Sequence, residues 1–484
     1  MNKNIKLLAA LVAAMSLASC GGEGNSTNNN GNGGASITNP WWSTEGTLSF
    51  DEDGNVEFEE EVELSLQTVV AGEDLGAFNS IINDFNDEFE GQIYVNAVST
   101  NQSAFEDTIA TLIKNETNAP DIFMSHQKAH KWFADNKLVQ PFDEAIEASG
   151  LEFSILNYVN NLGGLSNLGY EDVQFQIPID AQSMVILYNK SVLEELNKDL
   201  PTTYDELLDV CAAYKTKYNA DSHRAISMPM DEVFFNNYVF NTALAQNGFE
   251  FYDQDTLKVN WTGADNLSAY NQTAGVFNTL VNSGYMNYNE TGTVGQNRFF
   301  ENKTLFLFCL PWNVNSIITA YASQNQINVE SAKDNFIGGH SMANLFAVNE
   351  ASTTQDAIFG DSHAFLMSKT VTDINKKVAC LIFAKWFTEN GKAGAEWAEA
   401  GHITASHTIA NSSDYTSNTF VSNFINAFYL DTNTFQTVGN NKYYSDLIRI
   451  LNSASTKVVN GSAVEATLKS EQETMNGIIE FDEF

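Results

Sequence analysis

Val62-Glu-Leu-Ser-Leu-Gln-Thr-Val-Val70 alternates apolar with polar residues and then turns wholly apolar. A strand reads this way when it enters a core with one face still toward water. Gly72-Glu-Asp-Leu75 turns the chain, and Phe78, Ile81, Ile82, Phe85 and Phe89 then recur at helical spacing. The hydrophobic period has changed from 2 to about 3.6. Gly91 stops the helix, and Gln92 to Val98 predicts a second strand. Phe105, Ile109, Leu112 and Ile113 predict another amphipathic helix, Pro120-Asp-Ile-Phe-Met124 a short buried strand, and residues 129–135 a further helix. Strand–helix alternation of this kind predicts the α/β class, with mainly parallel sheets flanked by helices. In such sheets ligands gather beyond the carboxyl ends of the strands.

Outward from this region, the N-terminus carries an export signal. Lys3 and Lys6 precede an apolar run, residues 7–17, whose one polar member is Ser16. The run is too short to span a bilayer and sits where the hydrophobic part of a secretory signal belongs. It ends in Leu17-Ala-Ser-Cys20, which resembles a bacterial lipobox, so residues 1–20 read as a signal peptide and Cys20 as a lipidation site. That implies an exported chain, lipid-anchored to the cell membrane and facing the periplasm or the cell exterior. Residues 21–39 are Gly, Asn, Ser and Thr with scarcely an apolar side chain, and 51–61 are strongly acidic. The whole of 21–61 is expected to be a flexible tether. Trp41-Trp42 interrupts it and is expected to pack locally on the folded body.

The 484 residues are 43% hydrophobic, enough for two lobes with a sizeable core. Sixty-one acidic residues against 24 basic ones leave a charge of −37. Such a surface repels phosphate backbones, so nucleic acid is not an expected partner, and a neutral or cationic ligand suits it better than a polyanion. Of the four cysteines, Cys309 and Cys380 lie in apolar patterns and read as buried small hydrophobes. With Cys20 lipidated, Cys211, Cys309 and Cys380 cannot all pair, and no zinc-type cysteine spacing exists.

Several segments, in order, resemble extracellular solute-binding proteins of family 1, the maltodextrin-binding-like receptors of ABC importers. They are Ala119-Pro-Asp-Ile-Phe123, Trp132-Phe-Ala-Asp-Asn-Lys-Leu-Val-Gln-Pro141 and Gln176-Ile-Pro-Ile-Asp-Ala-Gln-Ser-Met-Val-Ile-Leu-Tyr-Asn-Lys190. Leu200-Pro-Thr-Thr-Tyr-Asp-Glu-Leu207, Phe299 to Trp312 and Gly360-Asp-Ser-His-Ala-Phe-Leu-Met-Ser-Lys369 continue the set. Asn302 stands where the family has glycine. The resemblance implies a two-lobed periplasmic-binding-protein-like fold (type II) closing about a multi-strand hinge. It puts one lobe at 62–178 plus 365–406 and the other at 183–360 plus 409–484, with crossings near 178–183, 360–364 and 404–409. Pro178 suits a crossing because it removes a ladder donor.

The resemblance also implies a site: a sugar needs planar amides and carboxylates for its hydroxyls and stiff aromatic faces for its CH groups. Trp312 matches the family's sugar-stacking tryptophan, with Asn313 beside it. Gln182 matches a ligand-facing carboxylate, and Asp180 lies two residues before it. Glu73 and Asp74 follow the first strand, where their charge equally suits a helix N-terminus. Ser125 and Gln127 follow the 120–124 strand, where maltodextrin binders carry a tryptophan and an aspartate. Phe234 and Asn237 fall in another ligand loop, and Ser362 and His363 at the second crossing. These twelve are the candidate ligand-binding residues.

His126 and His130 would share one face of a helix, which invites a metal reading. Gln127 stands where a zincin requires glutamate, no third ligand is identifiable, and no metal or cofactor is expected. A glycoside hydrolase would need two placed carboxylates, which 61 acidic residues supply by chance. A structural surface lipoprotein would show repeats or sandwich strands, and neither appears. The expected partners are thus a small carbohydrate, ABC permease subunits and a lipid anchor, with the chain itself a monomer and not an enzyme.

Overall fold

Strand Val62–Thr68 pairs in parallel with Ile93–Ser99 on one side and Ile122–His126 on the other. The structure, a computed structural model, describes residues 40–72, 74–100, 105–159, 173–230, 235–253, 255–287, 289–429, 435–437 and 441–482. Residues 1–39, with the expected signal peptide and Cys20, and also Glu73 and Phe234, lie outside the described residues.

Helix Asp74–Glu88 buries Phe78, Ile81, Ile82 and Phe85 against the first sheet. Phe85 meets Phe383 and Trp386 edge-on, with ring centroids 5.1 and 5.3 Å apart. Those rings belong to helix Ile374–Glu389, so this core is closed by residues some three hundred positions downstream. Edge-to-face pairs of this kind add about 0.5–1.5 kcal/mol each beyond their buried area.

Strand His363–Ser368 enters the same sheet antiparallel to Ile122–His126, Val139–Gln140 and Gln176–Pro178. The second sheet has the order Arg224–Ser227, Thr304–Cys309, Val185–Asn189, Ile337–His340. Its first pair is parallel and the other two are antiparallel. The α/β class with mainly parallel sheets is as expected: in each sheet every strand but one runs the same way, the reversed strand being His363–Ser368 in the first and Val185–Asn189 in the second. The reason is connectivity. Strands built by strand–helix–strand units end at the junction between the sheets, whereas His363–Ser368 and Val185–Asn189 begin there and run away from it.

At the junction, Asp180–Ala181 pairs with Ile403–Thr404, and single bridges join Gln182 to Asp361 and Tyr158 to Ser406. The chain leaves the first sheet after Pro178 and enters the second at Val185, and it returns between His340 and His363. Gly360 lets the crossings touch: a Cβ there would lie 2.2 Å from the Gln182 carbonyl oxygen.

The tether expected over 21–61 is folded in its described part. Trp41 donates through Nε1 to the Val139 carbonyl at 2.8 Å and stacks on Phe175. Trp42 donates to Glu144 at 3.0 Å. Glu144 and Thr44 together hold the buried Lys377 ammonium, at 2.7 and 2.6 Å. Satisfying that buried cation fixes the arm, and Ser49–Phe50 and Val56–Glu57 form a small hairpin beyond it. The tryptophan pair does pack on the folded body. Cys211, Cys309 and Cys380 are all buried free thiols. No described helix is long and apolar enough to cross a membrane.

Candidate functional site

The loops after the strands converge on a cleft of about 770 Å³ between the two sheets. Val70 to Gly72 and Asp74 reach it from the first strand, His126 from the third, and Leu310 to Asn313 from the end of Thr304–Cys309. Gln182 and Asp361 come from the crossings, and Asn237 and Tyr238 from the turn of π-helix at Phe235–Phe240. Helix Tyr444–Val459 lays Tyr444, Ile448, Arg449 and Asn452 along one wall.

The wall is amphipathic. Trp312 and Asn313 are half-buried, and Trp312 lies nearly parallel to His402 at 6.5 Å. Asn452 donates to the Asn237 side-chain oxygen at 2.5 Å. The lining holds two acids, Asp74 and Asp361, and two cations, Lys128 and Arg449. Arg449 lies 2.7 Å from Asp446, and Lys128 lies 3.7 Å from Glu106. Despite the chain's charge, the cleft itself carries little net sign. Burial raises the Asp361 carboxyl and the Tyr238 and Tyr444 hydroxyls above their usual ranges, so the phenols remain neutral donors.

Beneath the wall lies a buried polar floor. Asp180 is fully buried and receives the His363 backbone N–H at 3.0 Å and the Trp397 indole N–H at 2.6 Å. His363 Nδ1 lies 2.9 and 3.0 Å from its two oxygens. His402 bridges two carboxylates, with Nδ1 3.2 Å from Asp180 and Nε2 3.2 Å from Asp74. Trp397 stacks face to face on His402 at 4.2 Å, fixing the ring. Burial alone would lower His402 and raise Asp180. The opposing fields outweigh it: Asp180 and Asp74 lift His402 to about 9, and the two histidines hold Asp180 far below the usual carboxylate range. Gly401, at φ +100°, brings this floor against the second sheet: a Cβ there would lie 2.4 Å from the Pro311 carbonyl carbon.

Of the residues singled out from sequence, Asp74, Gln182, Asn237, Trp312, Asn313 and His363 line the cleft. Four do not. Asp180 lies under the floor. Ser125 is fully buried, with its hydroxyl on the His126 carbonyl at 3.4 Å. Gln127 and Ser362 are buried and hydrogen-bond each other at 3.2 Å. Sequence position alone sets them near the cleft, but the local backbone turns each side chain inward. Nor do His126 and His130 share a helix face: His126 ends a strand and His130 begins helix His130–Asp135, with Nε2 2.9 Å from the Ser125 carbonyl. The wall helix and the His402–Trp397 pair went unread. Gly401-His402 was the available signal, a glycine and a histidine together just before the third crossing.

A cleft at the strand ends, floored by the chain crossings, defines a two-lobed binding protein of the α/β class. A profile for the bacterial extracellular solute-binding proteins matches residues 71–366, and the chain belongs to that family. Its fold is that of the sugar-binding protein MalE from Xanthomonas citri, with a TM-score of 0.68 at 16% identity over 87% of this chain and 98% of that one. The GacH receptor of Streptomyces glaucescens, solved unliganded and with acarbose, aligns at a TM-score of 0.65 and 13% identity over 87% and 99%. An ABC substrate-binding protein from Listeria monocytogenes, in complex with cycloalternan, gives 0.64 and 18% over 87% and 99%. No curated protein matches the sequence.

Proposed function

We propose that the chain is the receptor of an ABC importer that captures a neutral sugar or oligosaccharide and delivers it to permease subunits. In this reading it is exported, anchored through lipid on Cys20, and closes its lobes (62–178 plus 365–406, and 183–360 plus 409–484) on the solute. The observation that carries the reading is the wall. A half-buried Trp312 stands over a cleft whose polar lining is amide-rich and balanced in charge. Aromatic faces take the CH surface of a sugar, while Gln182, Asn237 and Asn452 suit its hydroxyls. Three solved proteins of the same fold are described as sugar-binding or hold saccharide-like ligands, which supports the solute class.

The test is a thermal-shift and calorimetric screen of the full chain against neutral mono- and oligosaccharides. One sugar class should raise the melting temperature, and Trp312→Ala should sharply reduce the shift at the same sugar concentration. Turnover of that sugar would replace this reading with an enzyme. Anchoring is checked separately: Cys20→Ser should move the chain from the membrane to the soluble fraction.

A further inference from the structure

The buried floor has the composition and spacing of a metal-ligand set. One donor atom each from Asp180, His363 and His402 lies within 4.8 Å of the other two. The distances from the Asp180 oxygens to the nearest imidazole nitrogens are 2.9, 3.0 and 3.2 Å. Ligands about 2.0–2.1 Å from a tetrahedral ion stand roughly 3.3 Å apart, close to the spacing of Asp180 from each histidine, with the two histidines within 4.8 Å of each other.

An ion-pair network alone accounts for part of this, but two details go beyond it. His402 Nδ1 is buried and meets Asp180 at 3.2 Å as an ion pair that falls short of hydrogen-bond alignment. A buried ring nitrogen held by charge without an aligned hydrogen bond keeps capacity for a further ligand. The outer shell is also in place. Asp74 holds His402 through Nε2, leaving Nδ1 for the cluster, as a carboxylate does behind a metal-bound histidine. Trp397 and the His363 backbone N–H orient the Asp180 carboxylate in the same way.

We propose that Asp180, His363 and His402 bind a divalent transition-metal ion of the zinc class, with Asp74 as the positioning carboxylate. Two imidazoles and one carboxylate suit zinc better than magnesium or calcium, which take oxygen ligands. His363 and Asp74 also line the cleft, so the ion enters from the cleft, and its fourth ligand is water or a hydroxyl group of the solute. The ligands come from positions 180, 363 and 402, a spacing that no local motif reveals. The site does not depend on which solute the cleft takes.

The experiment titrates the chelator-stripped full chain with Zn²⁺ by calorimetry, with Mg²⁺ as control and Co²⁺ as a spectroscopic probe. The expected result is one Zn²⁺ per chain, no Mg²⁺ heat, and an intense visible Co²⁺ band of four-coordinate type. His363→Gln and His402→Gln, which keep a hydrogen-bonding side chain beside Asp180, should each weaken Zn²⁺ at least about tenfold. Retention of full Zn²⁺ affinity in both variants, or only a weak six-coordinate Co²⁺ spectrum in the native chain, would overturn the site. The native Co²⁺ spectrum decides the matter even if the variants fold poorly. Failure of every sugar in the screen would leave the Zn²⁺ stoichiometry untouched, so the two readings fail separately.

Discussion

The floor and the wall of the cleft face each other and use polar residues on opposite terms. In the floor, Asp180, His363, His402 and Trp397 are almost wholly buried, and Asp180 is gripped by neighbours from several segments. In the wall, Trp312, Asn237 and Asn452 are half-buried, and Arg449 is exposed. The floor is organised before any solute arrives, while the wall keeps groups that a solute can engage. The floor residues are thus held by one another, while Trp312, Asn237 and Asn452 keep exposed surface toward the cleft.

Four measurements can break or sharpen that contrast. The largest effect is expected from Asp180→Ala in the chelator-stripped chain. Removing the carboxylate leaves the buried His363 side chain and Trp397 indole N–H without their acceptor and His402 with Asp74 alone, at a cost of about 3–5 kcal/mol in urea unfolding. A loss below about 1 kcal/mol would mean that the floor is not held by charge.

His130, buried against the Ser125 carbonyl, adds a test through pH. Burial chiefly lowers its imidazole to about 4. The unfolded chain takes up the proton near pH 6.5, whereas the folded chain resists until about 4. Stability is therefore complete above 6.5 and declines as pH falls toward 4, by up to about 3 kcal/mol for this group. His130→Gln should shrink the difference between urea midpoints at pH 7 and pH 4.5. An unchanged difference would assign the decline to other groups.

Trp312→Ala should behave in the reverse manner to Asp180→Ala. Sugar affinity should fall about tenfold to a hundredfold, the usual range for a central aromatic anchor, while the unfolding midpoint barely moves. If stability fell more than binding, Trp312 would belong to the packing. Asn452→Ala should be the smallest: about 1 kcal/mol in affinity by calorimetry, from the loss of one hydrogen-bonding amide, with no pH signature.

The same contrast marks what the sequence disclosed. Local periodicity around Leu64, Phe78 and Phe85 is a property of neighbouring residues, and it revealed the first strands and helices correctly. Pro178 marked a crossing for a backbone reason equally local. Strand direction in the second sheet depends on where the chain re-enters it, which no window of residues records. The cleft residues Gln182 and Trp312 are legible through their neighbours in motifs. Asp180 was placed beside Gln182 as a ligand contact, but adjacent residues of an extended chain point to opposite sides, and two residues apart across a bent crossing they need not share a face. The floor joins positions 74, 180, 363, 397 and 402, and only folding makes them neighbours.

Gly401 carries a mechanical consequence. Its backbone rests on the backbone of Pro311, and main chain pressed on main chain has no rotamer through which to yield. Any rotation between the two halves that preserves this contact must roll about it, as a lever rolls on its fulcrum. Side chains close to that point, Trp312 and His402 among them, would sweep short arcs. The rim of the cleft would sweep long ones. A side chain at position 401 would be a shim under the lever, shifting the arc of every residue beyond it.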